Sequence, residues 1–160
     1  MSFRIGYGYD VHQLAEGNDF YLGGIKIPHP KGCIAHSDGD VLIHAICDAL
    51  LGAAAMKDIG YHFPDTSNEY KNIDSKILLQ KTIALISQKG YSLVNIDSTV
   101  CLEQPKIKKY ISKMVQVIAG LVETDQDNIS VKATTTEKLG FVGKEEGIAA
   151  HAVVLIQKVV

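Results

Sequence analysis

AHSDGDVLIHAICDALLGAAAM, residues 35–56, decides the architecture. After SDGD the chain runs almost unbroken through apolar residues long enough for four turns. That pattern predicts a buried helix from about Asp40 to Met56, with Ser37 as its N-cap and Asp40 three residues on. Three polar residues interrupt it: Asp40, His44 and Asp48, at i, i+4 and i+8, a single polar stripe on a helix otherwise built for burial. One explanation is a satisfied histidine flanked by solvated acids. The other is a ligand-bearing stripe, with His44 facing a cation and Asp40 or Asp48 orienting its ring.

Outward from this helix, elements of both kinds follow. Phe3 to Val11 and Phe20 to Ile27 are rich in aromatic and β-branched residues and predict strands. Asp58 to Ser67, DIGYHFPDTS, is broken by Gly60 and Pro64 and predicts a loop. A second helix is expected from about Asp74 to Lys89, its apolar face given by Ile77, Leu78, Ile83, Leu85 and Ile86, with Gly90 as the stop. Tyr91 to Glu103 alternates as a strand. Pro105 suits the first turn of a third helix that continues through Leu121. Ile129 to Thr135 and Ile148 to Val159 complete the strands. The expected fold class is therefore α+β: a mixed β-sheet with helices packed on one face, a two-layer sandwich. The last strand has few polar residues on either face, which hints at burial against another subunit.

The chain of 160 residues fits one domain, 1–160, with no repeat or low-complexity tract to divide it. A formal net charge of −2 argues against sequence-independent capture of nucleic acid, which needs a basic surface. Cys33, Cys47 and Cys101 have neither CxxC nor CxxH spacing, so buried thiols are expected in place of a disulfide framework or cysteine zinc site. No apolar run approaches the ~20 residues that span a bilayer, and Met1 leads at once into a strand-like segment. A cytoplasmic location without membrane partners is the expectation.

Three segments carry chemistry. On a strand, Asp10 and His12 point to one face while Val11 points to the other, so a carboxylate and an imidazole stand side by side. With His44 they would make the three-ligand, open form of a catalytic zinc site. VKATTTEKLGF, residues 131–141, gathers hydroxyls, N–H groups, the Glu137 carboxylate and an ammonium in one turn, a set suited to phosphates and a magnesium-like ion. Threonine is also simply common in strands. Glu103-Gln104-Pro105-Lys106 is expected at a helix start, where free N–H groups favour an anion. His36, Ser37, Asp58 and Asp65 lie in polar loops able to receive a polyol, although loops are polar anyway.

Taken in order, RIGYGYDVH, LGGIKIP, AHSDGDVLIHAICDALLGAAAMKDIGYHFPDT, DSKILLQ, NIDSTVCLEQPKI and ISVKATTTEKLGFVGKEEGIAAHAV resemble the 2-C-methyl-D-erythritol 2,4-cyclodiphosphate synthases along essentially the whole chain. That resemblance implies a homotrimer with active sites between neighbours. It also implies a cyclisation in which the 2-phosphate of 4-diphosphocytidyl-2-C-methyl-D-erythritol 2-phosphate attacks the β-phosphorus and expels CMP. Asp10, His12 and His44 would hold a zinc-like ion, and Glu137 a magnesium or manganese ion. His36 and Thr135 match transition-state positions. Asp58, Ile59, Gly60, Phe63, Pro64, Asp65, Thr66 and Ser67, with His36 and Ser37, match the methylerythritol pocket. Leu102, Glu103, Gln104, Pro105, Lys106, Ile107 and Lys108, with Thr134, Thr135, Thr136 and Glu137, match the cytidine and phosphate pocket.

Two departures stand out: Lys144 replaces a frequent arginine, and His151 stands in the last strand. With Phe141 they would form, three copies together, a pocket for an isoprenoid diphosphate at the trimer axis. The competing functional classes are a metal-dependent phosphohydrolase and a non-catalytic binder of nucleotide or isoprenoid diphosphates.

Overall fold

The computed structural model describes residues 2–159. Its elements, in chain order, are β1 (Phe3–Glu16), β2 (Tyr21–Leu22), β3 (Ile25–Lys26), β4 (Lys31–Cys33), α1 (Val41–Ala53), α2 (Ile59–His62), α3 (Ser75–Gln88), β5 (Tyr91–Cys101), α4 (Ile111–Leu121), β6 (Ile129–Thr134), α5 (Gly140–Gly143) and β7 (Gly147–Lys158). Five strands form one mixed sheet in the order β4-β1-β7-β5-β6, in which only β5 and β6 run parallel. Helix α1 packs across β1 and β7, α3 against β5, and α4 against β6. The two-layer α+β expectation holds.

Alternation along the central strands separates the two faces. Ile148, Ala150, Ala152, Val154 and Ile156 of β7 are fully buried beneath the helices. The opposite face stays open: Ile5 is 72% exposed, Tyr7 60% and Val153 39%. The last strand is thus buried on one side by this chain's own helices. Its other side is not covered by any helix of this chain.

Helix α1 is the centre of the core, with Leu42, Ile43, Ile46, Leu50 and Leu51 each without exposed surface. Burying side chains of this kind is worth roughly 1.5–3 kcal/mol apiece, so docking α1 on the sheet is a principal source of stability. The docking is unusually close. A Cβ on Gly6 or Gly8 would overlap the Ala49 or Ala45 carbonyl oxygen of α1, so β1 approaches the helix backbone through two positions without side chains.

Several boundaries differ from expectation, each for a local reason. Phe20 to Ile27 is not one strand, because Gly23 and Gly24 adopt φ of +60° and +80° and fold it into the β2–β3 hairpin. Asp40, not Ser37, caps α1: its carboxylate accepts from the Ile43 N–H and is fully buried. The same carboxylate accepts from the N–H groups of Gly23 and Gly24, tying the hairpin to the helix start. The 58–67 loop contains α2, capped by Asp58. On α3, Ile77 is 43% exposed, and Leu78, Leu79, Thr82 and Ile86 form the buried face. The third helix does not start at Pro105. Ile107 is buried first, a 3₁₀ turn follows at Lys108–Tyr110, and α4 begins at Ile111.

Gly8→Ala should therefore lower the unfolding free energy by more than about 2 kcal/mol, because a close-packed interface resists added volume. Urea denaturation measures this; an unchanged midpoint would contradict the close β1–α1 contact.

Candidate metal centre and active site

Strand β1 lays Asp10 and His12 on its helix-facing side, two residues past Gly8, and α1 presents His44 to them from above. Asp10 Oδ2 lies 3.0 Å from His44 Nδ1 and 3.1 Å from His12 Nε2, and the two ring nitrogens are 3.1 Å apart. Three donor atoms thus form a nearly equilateral triangle. Ligands of a tetrahedral zinc ion with bonds of about 2.0 Å stand ~3.3 Å apart, so the triangle matches one face of such a site. Among the described residues, these three form the group of metal-ligating side chains converging on one point. One oxygen and two imidazole nitrogens, with a face left open, are the donor set of a catalytic zinc site.

Electrostatics agree. Burial alone would raise the Asp10 carboxyl, but hydrogen bonds and charge from His12 and His44 hold it well below the usual carboxylate range. Burial pushes the His44 ring down, but the Asp10 carboxylate beside it wins and lifts it above the ordinary histidine value. The cluster already favours an anionic oxygen facing positive charge, a role a divalent ion fills with two neutral rings. Cysteine is not a competitor, since burial pushes the thiols of both Cys33 and Cys47 up to about 12.

The orientation of His44 departs from expectation. Asp40 is spent on backbone N–H groups and does not reach the ring. Asp48, whose carboxyl is raised by burial, accepts from the Ile59 N–H at 2.8 Å and so pins α2 to α1. The far nitrogen of His44, Nε2, faces instead Ser75 Oγ at 2.8 Å and Ser37 Oγ at 3.2 Å. Ser75 had no signal in the sequence beyond its place after the helix cap Asp74.

A cavity of about 290 Å³ opens at the triangle, lined by His12, His44, His36, Ser37, Ile59, Gly60, Phe63 and Asp65, with Ala35, Tyr70, Ile73 and Leu78. His36 Nε2 donates to the Ser67 carbonyl oxygen at 3.2 Å, which ties the His36 ring to the 58–67 loop. Asp58, Pro64, Thr66 and Ser67 belong to that loop and do not line the cavity themselves; Asp58 and Ser67 cap short helical turns.

The second predicted cluster assembles elsewhere in the chain. Residues 102–108 and 134–138 meet at the ends of the parallel pair β5–β6, where the Leu102 N–H donates to the Thr134 carbonyl. Glu103 Oε1 accepts from the N–H groups of Thr136 and Lys138, so two donors expected to be open are taken within the chain. Glu137 and Lys138 have φ of +54° and +62°, and the Thr135 hydroxyl donates to the exposed Glu137 carboxylate. Leu102 and Ile107 are core side chains; Gln104, Lys106 and Lys108 are exposed and Pro105 half-buried. None of these residues lines the cavity at the triangle.

A family model described as the YgbB family matches residues 3–157. This chain belongs to that family. A relative from Bacteroides fragilis named 2-C-methyl-D-erythritol 2,4-cyclodiphosphate synthase is 63% identical over 159 residues, covering 99% of this chain and 100% of its own. Among solved structures, the bifunctional IspDF of Campylobacter jejuni superposes with a TM-score of 0.95 at 42% identity. It matches 98% of this chain, which spans 42% of that longer protein. A CDP-bound 2-C-methyl-D-erythritol 2,4-cyclodiphosphate synthase superposes at 0.89 with 38% identity, over 96% of this chain and 100% of its own. The named relatives are 2-C-methyl-D-erythritol 2,4-cyclodiphosphate synthases over the full length of this chain, and the Asp10/His12/His44 triangle lies within the matched residues.

Because protons compete for the same three atoms, zinc affinity should fall as pH drops from about 8 to about 6. The decline should set in above the ordinary histidine pKa, since Asp10 lifts His44. Isothermal titration at several pH values checks this; a pH-independent affinity would exclude histidine ligation.

Proposed function

We propose that the cavity at the Asp10/His12/His44 triangle is where the 2-phosphate of 4-diphosphocytidyl-2-C-methyl-D-erythritol 2-phosphate is turned back on its own β-phosphorus. A new bond forms between a 2-phosphate oxygen and the β-phosphorus. The bridge between the β-phosphorus and the α-phosphate oxygen breaks, and CMP leaves with that oxygen. The observation that carries this reading is the three-atom triangle opening into a cavity edged by polar loop residues.

No nucleophile has to be generated by the protein. A phosphate monoester has a second pKa near ~6 and is largely ionised at neutral pH. What the chain must supply is charge neutralisation and geometry. Asp10, His12 and His44 would hold zinc, and Glu137 a magnesium or manganese ion. When bound, these ions supply Lewis-acid charge to the diphosphate oxygens. His36 and Ser37 stand at the cavity edge, Ser37 with a hydroxyl for phosphate and polyol oxygens and His36 with its ring held by the Ser67 carbonyl. Ile59, Gly60, Phe63 and Asp65 wall the methylerythritol end, with Asp58, Pro64, Thr66 and Ser67 shaping their loop. Thr134, Thr135 and Thr136, with the 102–108 segment and Lys106, would receive the cytidine and its phosphates.

A cavity of this volume takes the methylerythritol portion but not a nucleotide as well. The 102–108 and 134–137 segments do not border it. In a homotrimer a neighbouring copy would bring those segments to the cavity mouth, and the bare apolar sheet face of Phe3, Ile5, Tyr7, Tyr9, Val11 and Val153 offers the contact surface. On that face Tyr7 is within 2.9 Å of His151 Nδ1, so His151 already has a partner in its own chain. Phe141 and Lys144 are exposed, and an isoprenoid diphosphate at the trimer axis would rest on them. A charged substrate and three unpaired thiols fit a cytoplasmic enzyme.

Phosphorus NMR of the reaction should show a cyclic diphosphate together with CMP. Free methylerythritol phosphates would show a phosphohydrolase instead. His44→Ala should abolish turnover, whereas Lys106→Ala should raise KM and spare kcat. Ile5→Asp should dissociate the trimer in sedimentation and remove activity, although each chain keeps its triangle; an active monomer would refute the shared site.

A further inference from the structure

The imidazole of His44 has two nitrogens, and a neutral ring carries one proton. Nδ1 belongs to the ligand triangle, so it serves a cation only if the proton resides on Nε2. The surroundings of Nε2 decide which tautomer forms. Ser75 Oγ lies 2.8 Å from it, fully buried at the first turn of α3. That hydroxyl is itself very close to Asp38 Oδ1. A carboxylate only accepts, so the Ser75 proton goes to Asp38. With its hydrogen committed, Ser75 Oγ can only accept from the ring. The direction is therefore fixed: Nε2–H to Ser75 Oγ, and Ser75 O–H to Asp38.

Asp38 is held firmly enough to impose this. Its Oδ2 accepts from the Ser75 N–H at 3.0 Å, and its Oδ1 accepts from the Asp40 N–H at 3.2 Å. The Asp38 N–H in turn donates to the Ile73 carbonyl. Loop 35–40 and the start of α3 are thus sewn together around the hydroxyl. Ser37 Oγ, 3.2 Å from Nε2, accepts from the Gly39 N–H and is a second, longer neighbour.

We propose that Asp38 and Ser75 are positioning residues that select the His44 tautomer with a bare Nδ1, and thereby set the affinity of the triangle for its cation. They touch neither substrate nor cation; they act through the ring. The proposal rests on the reading of Asp10, His12 and His44 as metal ligands. Outer partners of this kind typically govern metal affinity by roughly 10–100-fold.

The test is a zinc titration against a chromogenic chelator on the full-length protein, with circular dichroism and melting temperature recorded for each variant. Wild type should take one zinc per chain, and His44→Ala should lose it; wild type that binds none removes the ligand assignment itself. Ser75→Ala keeps the backbone N–H to Asp38 and the Asp74 cap, and should bind zinc roughly 10–100-fold more weakly. Its activity should return as zinc is raised, which a merely misfolded enzyme would not show. Asp38→Asn offers Ser75 an amide donor, frees its hydroxyl to point at Nε2, and should weaken zinc at least as much. Folded variants within about twofold of wild-type affinity would overturn the proposal. Should neither variant fold, nitrogen-15 histidine spectra of zinc-loaded wild type decide. A His44 Nε2 proton protected from exchange supports the relay; a freely exchanging one overturns it.

Discussion

Everything at this site depends on how closely α1 can lie on β1. Two glycines, Gly6 and Gly8, remove the side chains that would hold the helix off, and the next two residues on the same face are Asp10 and His12. The approach that packs the core therefore also sets the distance from Asp10 and His12 to His44. A helix raised by one methyl layer would open the 3.0–3.1 Å triangle and leave a carboxylate and two imidazoles as unrelated polar groups. The packing of α1 on β1 and the geometry of the triangle are one constraint.

Around that constraint the polar groups divide their work. Asp40 is fully buried yet binds no ring; three backbone N–H groups satisfy it and join the β2–β3 hairpin to the start of α1. Asp48 fixes the first residue of α2, and so the wall of the cavity. Asp38 and Ser75 fix the far side of the His44 ring. Four acidic side chains between positions 38 and 58, Asp38, Asp40, Asp48 and Asp58, thus each hold a different piece of backbone or side chain. Asp10 is the carboxylate left to the two rings.

The members of the triangle were legible in the sequence because they obey local periodicities. Asp10 and His12 are two apart on a strand, and His44 interrupts an apolar helix one turn beyond Asp40. Their convergence needed only a sheet with helices on one face. The His44 partner was not legible in the same way: Asp40 and Asp48 share its stripe, whereas Ser75 lies 31 residues away and meets the ring only after α3 docks. Pro105 misled because a proline suits a helix start in general. Here the burial of Ile107 comes first and delays α4 to Ile111. The KATTTEKLGF turn was recognisable, but its use of Glu103 to occupy two N–H groups depends on β5 and β6 running parallel.

Zinc-edge X-ray absorption of the zinc-loaded protein addresses the shared cation most directly. A first shell of nitrogen and oxygen scatterers at about 2.0 Å, carrying the outer-shell pattern of two imidazoles, is the expected spectrum. A sulfur shell near ~2.3 Å, or a spectrum with a single imidazole, would mean that β1 and α1 do not clamp one ion between them.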